Sequence, residues 1–264
     1  MELRKQQEIE HYDKLAREWQ EKIANSKEQI AKYDIELIDV MKMSSYQFVY
    51  ELLEKYVPEK RVLDYGCGHG MHAISMARMA AKKVIGIDLS KESLKIAEQR
   101  ANRKSLNNRV KFIKMDAEKL EFPDNSFDIV FDGGTFSSID INKAFSEIKR
   151  VLKPAGYLIG IETLGHNPLT NLKRWLNKKC GTRTEWAVSH IMKIKDFKLA
   201  RQYFKTIEVH FFHLTSIIAM PFQNMPAGAI LVKIFEGIDK ILLKLPFLKR
   251  FAFKAVFIFY RDND

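Results

Sequence analysis

Two cysteines in 264 residues, Cys67 and Cys180, are too few for a disulfide framework and too far apart for a metal cluster. No histidine, cysteine and carboxylate set falls at metal-ligand spacing, so no metal is expected. Nor does any window of about 20 residues run free of charge, which excludes a simple membrane-spanning helix. The opening Met-Glu-Leu-Arg-Lys-Gln-Gln-Glu lacks the apolar run of a secretory signal, and a reducing cytoplasm is the expected location. Acids are outnumbered, 33 against 44 lysines and arginines, for a net charge of +11. That sign suits nucleic acid, an anionic substrate or a membrane surface. The cations are scattered, however, with no long basic block and no zinc-finger or RNA-recognition signature, so a nucleic-acid partner is not expected. Hydrophobic residues at 46% and charged residues at 29% are ordinary for a globular chain, and the length suits one α/β domain with additions.

What the chain does have is concentrated near residue 65. Val62-Leu-Asp-Tyr-Gly-Cys-Gly-His-Gly70 is a short apolar run that ends in an acid and breaks into a loop carrying Gly66, Gly68 and Gly70. A helical stretch follows from Met71. Glycines there let backbone N–H groups approach a ligand, and the helix N-terminus adds positive potential. A second apolar run ends at Asp88, 18 residues after Gly70, where a carboxylate can take both hydroxyls of a ribose. The pairing points to a nucleoside-cofactor site. The spacing is not the G-x-G-x-x-G of a dinucleotide site, and Asp64 would repel a pyrophosphate while suiting a cationic amino group.

Over roughly residues 45–162 the chain resembles the class I S-adenosylmethionine-dependent methyltransferases. Five motifs carry the resemblance, in order: the glycine loop, Ile-Asp-Leu-Ser at 87–90, Met-Asp-Ala-Glu at 115–118, Phe-Pro-Asp-Asn-Ser-Phe-Asp-Ile-Val at 122–130, and Leu-Lys-Pro-Ala-Gly-Tyr-Leu-Ile-Gly at 152–160. The resemblance implies S-adenosyl-L-methionine as cofactor. Its implied contacts are Asp64, Gly66, Cys67 (through its backbone) and Gly68 in the loop, and Asp88 and Leu89 at the ribose. Asp116 would meet the adenine amine and the Ala117 N–H the ring, while Asp132 and Gly133 would floor the site. The segment around Tyr12 also resembles the entry helix of small-molecule methyltransferases, where a tyrosine lies near the cofactor, although packing explains the Tyr12, Leu15, Trp19, Ile23 stripe equally well.

Strand and helix alternate from 61 to 162, as in a parallel doubly wound sheet. The expected fold is α/β, a Rossmann-like doubly wound seven-stranded sheet with N-terminal helices and a helical insertion or lid. Three parts are expected: 1–58 as an N-terminal helical cap, 59–162 as the cofactor-binding core, and 163–264 as a substrate-side insertion with strands completing the sheet. Strands near 205–213 and 253–260 would be the sixth and seventh, the last antiparallel by resemblance. Residues 35–57 read as a helix stopped at Pro58. Between the last strands, 214–250 is apolar but punctuated by lysines, and Ile230, Ile234, Ile238, Ile241, Leu242 and Leu245 can share one helix face. Such a helix lies on a membrane, covers a lipophilic pocket or packs on the core.

Methyl transfer needs a base only where the acceptor carries a proton. His166, just past the fifth strand, and His190, in the insertion, are the candidate bases, with a backbone-bonded loop histidine the bland reading of His166. Together with their flanks they resemble a subgroup found in bacterial biosynthetic clusters. His69 should serve backbone geometry. Of His210 and His213, at opposite parity on one strand, at least one should be exposed. Asp132, Asp140 and Glu162, near strand ends, leave a metal-assisted reaction as a minor option. The expected reaction is methylation of oxygen or carbon on a small, lipophilic or aromatic molecule, with peripheral membrane contact through 214–250 as one option. An RNA or protein methyltransferase and a catalytically silent cofactor-binding partner are the alternatives; the oligomeric state is open.

Overall fold

The computed structural model describes residues 2–24, 41–179 and 184–262. Seven strands form one sheet: β1 (Arg61–Tyr65), β2 (Lys83–Asp88), β3 (Val110–Lys114), β4 (Phe127–Asp132), β5 (Leu152–Thr163), β6 (Thr206–Phe212) and β7 (Lys254–Tyr260). Their order is β3-β2-β1-β4-β5-β7-β6, with β7 antiparallel to both neighbours and the other strands parallel. The doubly wound seven-stranded fold expected from the sequence is therefore present. Its chain reverses direction of travel between β1 and β4, which opens a crevice at the carboxyl edge.

Strands β1, β4 and β7 are buried almost throughout because helices cover both faces. In β7, Ala255, Phe257 and Phe259 pack with Phe145, Phe197 and Phe204 on one face. Val256 and Ile258 pack on the other with Val49, Leu53, Ala73 and Met76. That second face is covered by α2 (Ser44–Tyr56) and α3 (Met71–Arg78). Helix α4 (Lys91–Arg103) starts at Ser90, whose hydroxyl accepts the Ser93 N–H at 3.0 Å. Helix α1 (Leu3–Ala24) lies across α4, with Ala16 against Ile96. The first face carries α5 (Ile141–Val151), capped by Asp140.

Several details depart from expectation. The described part of the second helix begins at Ser44, and residues 35–40, like Cys180 and the Ile23 side chain, lie outside the described residues. Strand β5 begins as early as Leu152, because Phe127 pairs with Leu152 before a register shift to Ile129–Tyr157 absorbs the Lys-Pro-Ala-Gly turn. The insertion after β5 holds α6 (Pro168–Lys179), α7 (Glu185–Ser189) and α8 (Ile194–Ala200). His210 on β6 is exposed, and His213, which lies beyond the end of β6 in a turn at φ +63°, is buried.

The stretch between β6 and β7 contains α9 (Gly228–Leu242) and α10 (Pro246–Lys249). Because β6 runs parallel to β5, this stretch leaves the sheet at the carboxyl edge, the same edge as the crevice. Helix α9 is turned with its apolar face outward: Ile230 is 62% exposed, Ile234 55% and Ile241 69%, with Phe247 at 63% beyond. Its inward side is fixed by Asp239, whose carboxylate accepts the N–H groups of Leu214, Thr215 and Ser216 and the Thr215 hydroxyl. Four such bonds to one carboxylate outweigh the loss of burying isoleucine on that side.

Candidate functional site

The glycine loop sets the geometry of the crevice. Gly66, Gly68 and Gly70 adopt φ of +70°, +48° and +75°, a region that disfavours any side chain. A Cβ on Gly66 would stand 2.2 Å from Thr135 Oγ1, so the loops after β1 and β4 touch only because that position is bare. Thr135 seals the contact by donating its hydroxyl to the Tyr65 carbonyl at 2.9 Å. The crevice between these loops opens into a cavity lined by Tyr12, Gly66, Gly68, Asp88, Leu89, Asp116, Ala117 and Gly133, with Lys5, Glu8 and Glu118 at its rim.

Asp88 is held ready rather than spent. Its Oδ2 accepts the Gly68 N–H at 2.9 Å and its Oδ1 the Ser90 N–H at 2.8 Å. A carboxylate has about four acceptor sites, so each oxygen keeps one for a ribose hydroxyl. Burial pushes this carboxyl up, opposed by those N–H groups. Asp116 faces the same cavity but is engaged: its Oδ2 takes the Lys5 ammonium at 2.7 Å.

Asp64, Cys67 and Asp132 are not in the cavity wall, contrary to a direct-contact reading of those residues. Strand alternation places the two carboxyls on opposite faces of the sheet, Asp64 toward α3 and Asp132 toward the other layer, and each is essentially buried. Burial pushes Asp64 up to about 7, with the Ala73 N–H opposing and Asp88 adding to the rise. Burial and the neighbouring Glu162 likewise raise Asp132, whose Oδ1 accepts the Thr135 N–H at 2.9 Å. One oxygen of each, Asp64 Oδ2 and Asp132 Oδ2, has no hydrogen-bond partner among the described residues. Two underused buried acids behind a cavity favour a cationic ligand, and a sulfonium with an ammonium is such a ligand. Cys67 contributes its backbone, donating its N–H to the Ile87 carbonyl at 2.8 Å, while its thiol is buried.

Helix α1 closes the cavity through Tyr12, as expected, and through Arg4, Lys5 and Asp13, which sequence reasoning did not select. Arg4 and Lys5 pair with Glu118, and Asp13 accepts the Ser90 hydroxyl at 2.6 Å. Tyr12 meets the Ser138 hydroxyl at 3.3 Å. Burial raises Glu118, but the Asp140 N–H, Lys5 and Arg4 outweigh it and bring the carboxyl down to about 2. On one sequence Arg4, Lys5 and Asp13 look like the solvated side of an amphipathic helix, which leaves no signal to find them.

The two candidate bases do not converge on this cavity. His166 lies in a separate groove with Phe211, Lys249 and Arg250. His190 is exposed and stacked on Trp186 at 3.6 Å, in a neighbouring cavity that shares Ile139 with the first. A histidine that sequence reasoning passed over, His72 in the first turn of α3, stands behind Gly133 of the cavity wall. A Cβ on Gly133 would lie 3.2 Å from its Nε2, so the bare Gly133 backbone brings it against the cavity wall. Its Nδ1 lies 3.0 Å from the Tyr50 hydroxyl. Burial and Lys254 press the imidazole down to about 4, so it is neutral at pH 7. Among the described residues no group of three or more His, Cys, Asp or Glu is placed to hold a metal.

Residues 57–225, well over half of the chain, match the family model described as a methyltransferase domain. The chain belongs to that family. It is a class I S-adenosylmethionine-dependent methyltransferase domain. A sterol 24-C-methyltransferase of Gibberella zeae is 36% identical over 38% of this chain and 26% of its own length. The demethylmenaquinone methyltransferase of Geobacillus kaustophilus is 39% identical over 39% of this chain and 45% of its length. The ubiquinone/menaquinone biosynthesis C-methyltransferase of Rickettsia massiliae is 36% identical over 50% of this chain and 56% of its length. The chain thus spans little more than half of these relatives at most. Among solved structures, a Haemonchus contortus phosphoethanolamine N-methyltransferase bound to S-adenosylhomocysteine aligns with a TM-score of 0.60 at 21% identity, over 84% of this chain and 54% of that one. The [4+2]-cyclase SpnF aligns with a TM-score of 0.55 at 21% identity, over 83% and 82%. These two likenesses concern the fold, which hosts more than one chemistry.

Proposed function

We propose that this methyltransferase domain transfers a methyl group from S-adenosyl-L-methionine to oxygen or carbon of a small, lipophilic or aromatic molecule. The observation that carries the reading is the carboxyl-edge cavity itself: Asp88 with free acceptor sites at one wall, bare glycine backbone at another, and two underused buried acids behind. When bound, the cofactor supplies a methyl group on a sulfonium whose leaving group is neutral. The chain's part is then alignment and exclusion of water. Asp88 takes the ribose hydroxyls, the field of Asp64 and Asp132 favours the cationic end, and α1 closes the cavity from solvent. The acceptor class is supported by the relatives named for sterols and quinones. Label transfer from methyl-labelled S-adenosyl-L-methionine into a cell extract checks it: label is expected in the organic-soluble fraction. Label in RNA or protein instead would contradict it, and no label despite cofactor binding would leave a silent binding partner as the better reading.

A lipophilic acceptor is best met where it dissolves, and α9 and α10 fit that need. Their apolar faces point to solvent at the carboxyl edge, and the exposed charges of the stretch, Lys233, Lys240, Lys244 and Arg250, are all cations. The acids Glu236 and Asp239 are half-buried and buried. Isoleucines outward among lysines match an anionic membrane surface, each cation adding about 1 kcal/mol near the headgroups. No helix among the described residues is long and apolar enough to cross a membrane. The protein is expected to pellet with phosphatidylglycerol vesicles at low salt, and an Ile234→Asp/Ile241→Asp variant to stay in the supernatant. Wild-type protein in the supernatant would remove the membrane contact.

A further inference from the structure

Lys254 stands at the head of β7, paired across the ladder with Thr163 at the carboxyl end of β5 and with Phe212 at the end of β6. It is 8% exposed. Its ammonium forms no hydrogen bond or ion pair among the described residues; its recorded neighbours are the rings of Tyr46 at 4.9 Å and Phe253 at 5.7 Å. The stem is buried while the ammonium keeps contact with solvent. The ring faces attract the cation and hold it in place. An ammonium fixed there without an anion partner is placed to receive a ligand anion.

The same corner of the sheet holds His72. Lys254 and His72 share the face covered by α2 and α3, and Tyr46 of α2 reaches both, its ring parallel to the imidazole at 6.3 Å. The proton on His72 is placed by a chain of donors. The Ser75 hydroxyl donates to the Met71 carbonyl at 2.9 Å, so its oxygen is free to accept from the Tyr50 hydroxyl at 3.3 Å. Tyr50 has then given its only proton, and its oxygen accepts from Nδ1–H of His72. This puts the proton on Nδ1 and leaves Nε2, the atom beside Gly133, as a bare lone pair with no partner among the described residues. Gly133 is also a wall of the cofactor cavity. A lone-pair acceptor and a cation therefore both stand at the Tyr46 ring, 6.3 Å and 4.9 Å from its centroid, behind the Gly133 wall of the proposed cofactor site.

We propose that His72 and Lys254 form a subsite for an acidic hydroxyl of the methyl acceptor, a phenol or an enol. The hydroxyl proton moves to Nε2 of His72, and the electron pair of the broken O–H bond stays on oxygen as an anion beside the Lys254 ammonium. The two events support each other. The oxyanion cancels the positive field that Lys254 imposes on the imidazole, and the imidazolium in turn helps hold the oxyanion. Other charged or titratable groups facing the pair are Tyr46 and Tyr50 from α2 and His213 from the turn after β6. His213 is kept neutral by burial and by Lys254, pressed down to about 4, and bonds to Ser45 and Ser216. Carboxylates stand further out, Glu236 4.0 Å from His213 Nδ1, Asp239 beside His213 and Asp64 beside Tyr50, and among the described residues none forms an ion pair with Lys254. The subsite rests on the methyltransferase reading above, and it narrows the acceptor from lipophilic molecules in general to those with an ionisable hydroxyl.

The test uses 4-nitrophenol, whose anion is coloured, titrated into the full chain with S-adenosylhomocysteine present. The bound probe is expected to ionise at least about one pH unit below the free probe. Lys254→Met should abolish that shift and His72→Gln should reduce it, while both variants keep cofactor affinity within about twofold of wild type. Lys254→Met keeps the buried apolar stem and is expected to fold. A probe that fails to bind, that ionises as in free solution, or that binds both variants as it binds wild type would overturn the subsite. Loss of cofactor binding by the wild-type chain would instead strike the methyltransferase reading, so the two failures are distinguishable.

Discussion

Replacing Asp64 by asparagine is expected to stabilise the ligand-free protein by up to about 4 kcal/mol at pH 8 while weakening its hold on the cofactor. The Asp64 carboxyl is pushed up to about 7 by burial, against about 3.9 in an unfolded chain. A raised carboxyl makes the folded state hold a proton that the unfolded state has released. Wild-type stability on this account falls as pH rises from about 4 to about 7, and above that window the full cost of a buried carboxylate is present. Three pH units at about 1.4 kcal/mol each set the size. Asparagine has no such charge, so the gap between Asp64→Asn and wild type should be wide at pH 8 and close by pH 4. Urea unfolding at both values checks it; an equal gap at both would show that the effect is steric. Cofactor affinity should move the other way, weakened by about 1–3 kcal/mol, the scale of a lost charge-assisted partner. A residue that costs stability and is repaid by a cation is what a binding acid looks like.

Gly66→Ala carries the second large effect. The added carbon would stand 2.2 Å from Thr135 Oγ1 and 2.5 Å from its Cγ2, on a backbone at φ +70°. Left-handed strain costs about 1–2 kcal/mol, and overpacking adds about 1–3. The sum, about 2–5 kcal/mol, should appear as a lower melting temperature and as loss of cofactor binding, because the loops after β1 and β4 can no longer close on each other. Thr135→Ala in the same chain removes the two closest contacts and leaves the strain, a 2.9 Å approach to its Cβ and the lost bond to the Tyr65 carbonyl, so the double variant should recover part of the lost stability. Recovery of nothing would place the whole cost in the backbone and deny that the two loops press together.

Sequence and structure agree where one physical signal is enough. Apolar runs ending in an acid at Asp64, Asp88 and Asp132 mark strand ends, and glycine after them marks the crevice; Asp88 reaches the cavity as its spacing implied. Disagreement appears where two partners distant in sequence decide the outcome. The periodicity of α9 shows an apolar face without saying which way it points, and Asp239 turns it outward by binding 214–216. His166 and His190 were selected for their place after β5, but side-chain direction there is set by the turn and by stacking on Trp186. His72 looks like an ordinary first-turn helix residue; only the missing side chain of Gly133, 61 positions on, makes room for it. Lys254 looks like the solvated end of a strand until α2 is seen to cover it.

Calorimetric titration with S-adenosyl-L-methionine, run on the wild-type chain and on Asp88→Ala, goes straight to the cavity. The wild type should bind one equivalent, and Asp88→Ala should bind about 1–3 kcal/mol more weakly, roughly fivefold to over a hundredfold. A wild-type chain that binds no cofactor, or an Asp88→Ala variant that binds it equally well, would contradict the assignment of this crevice to the nucleoside.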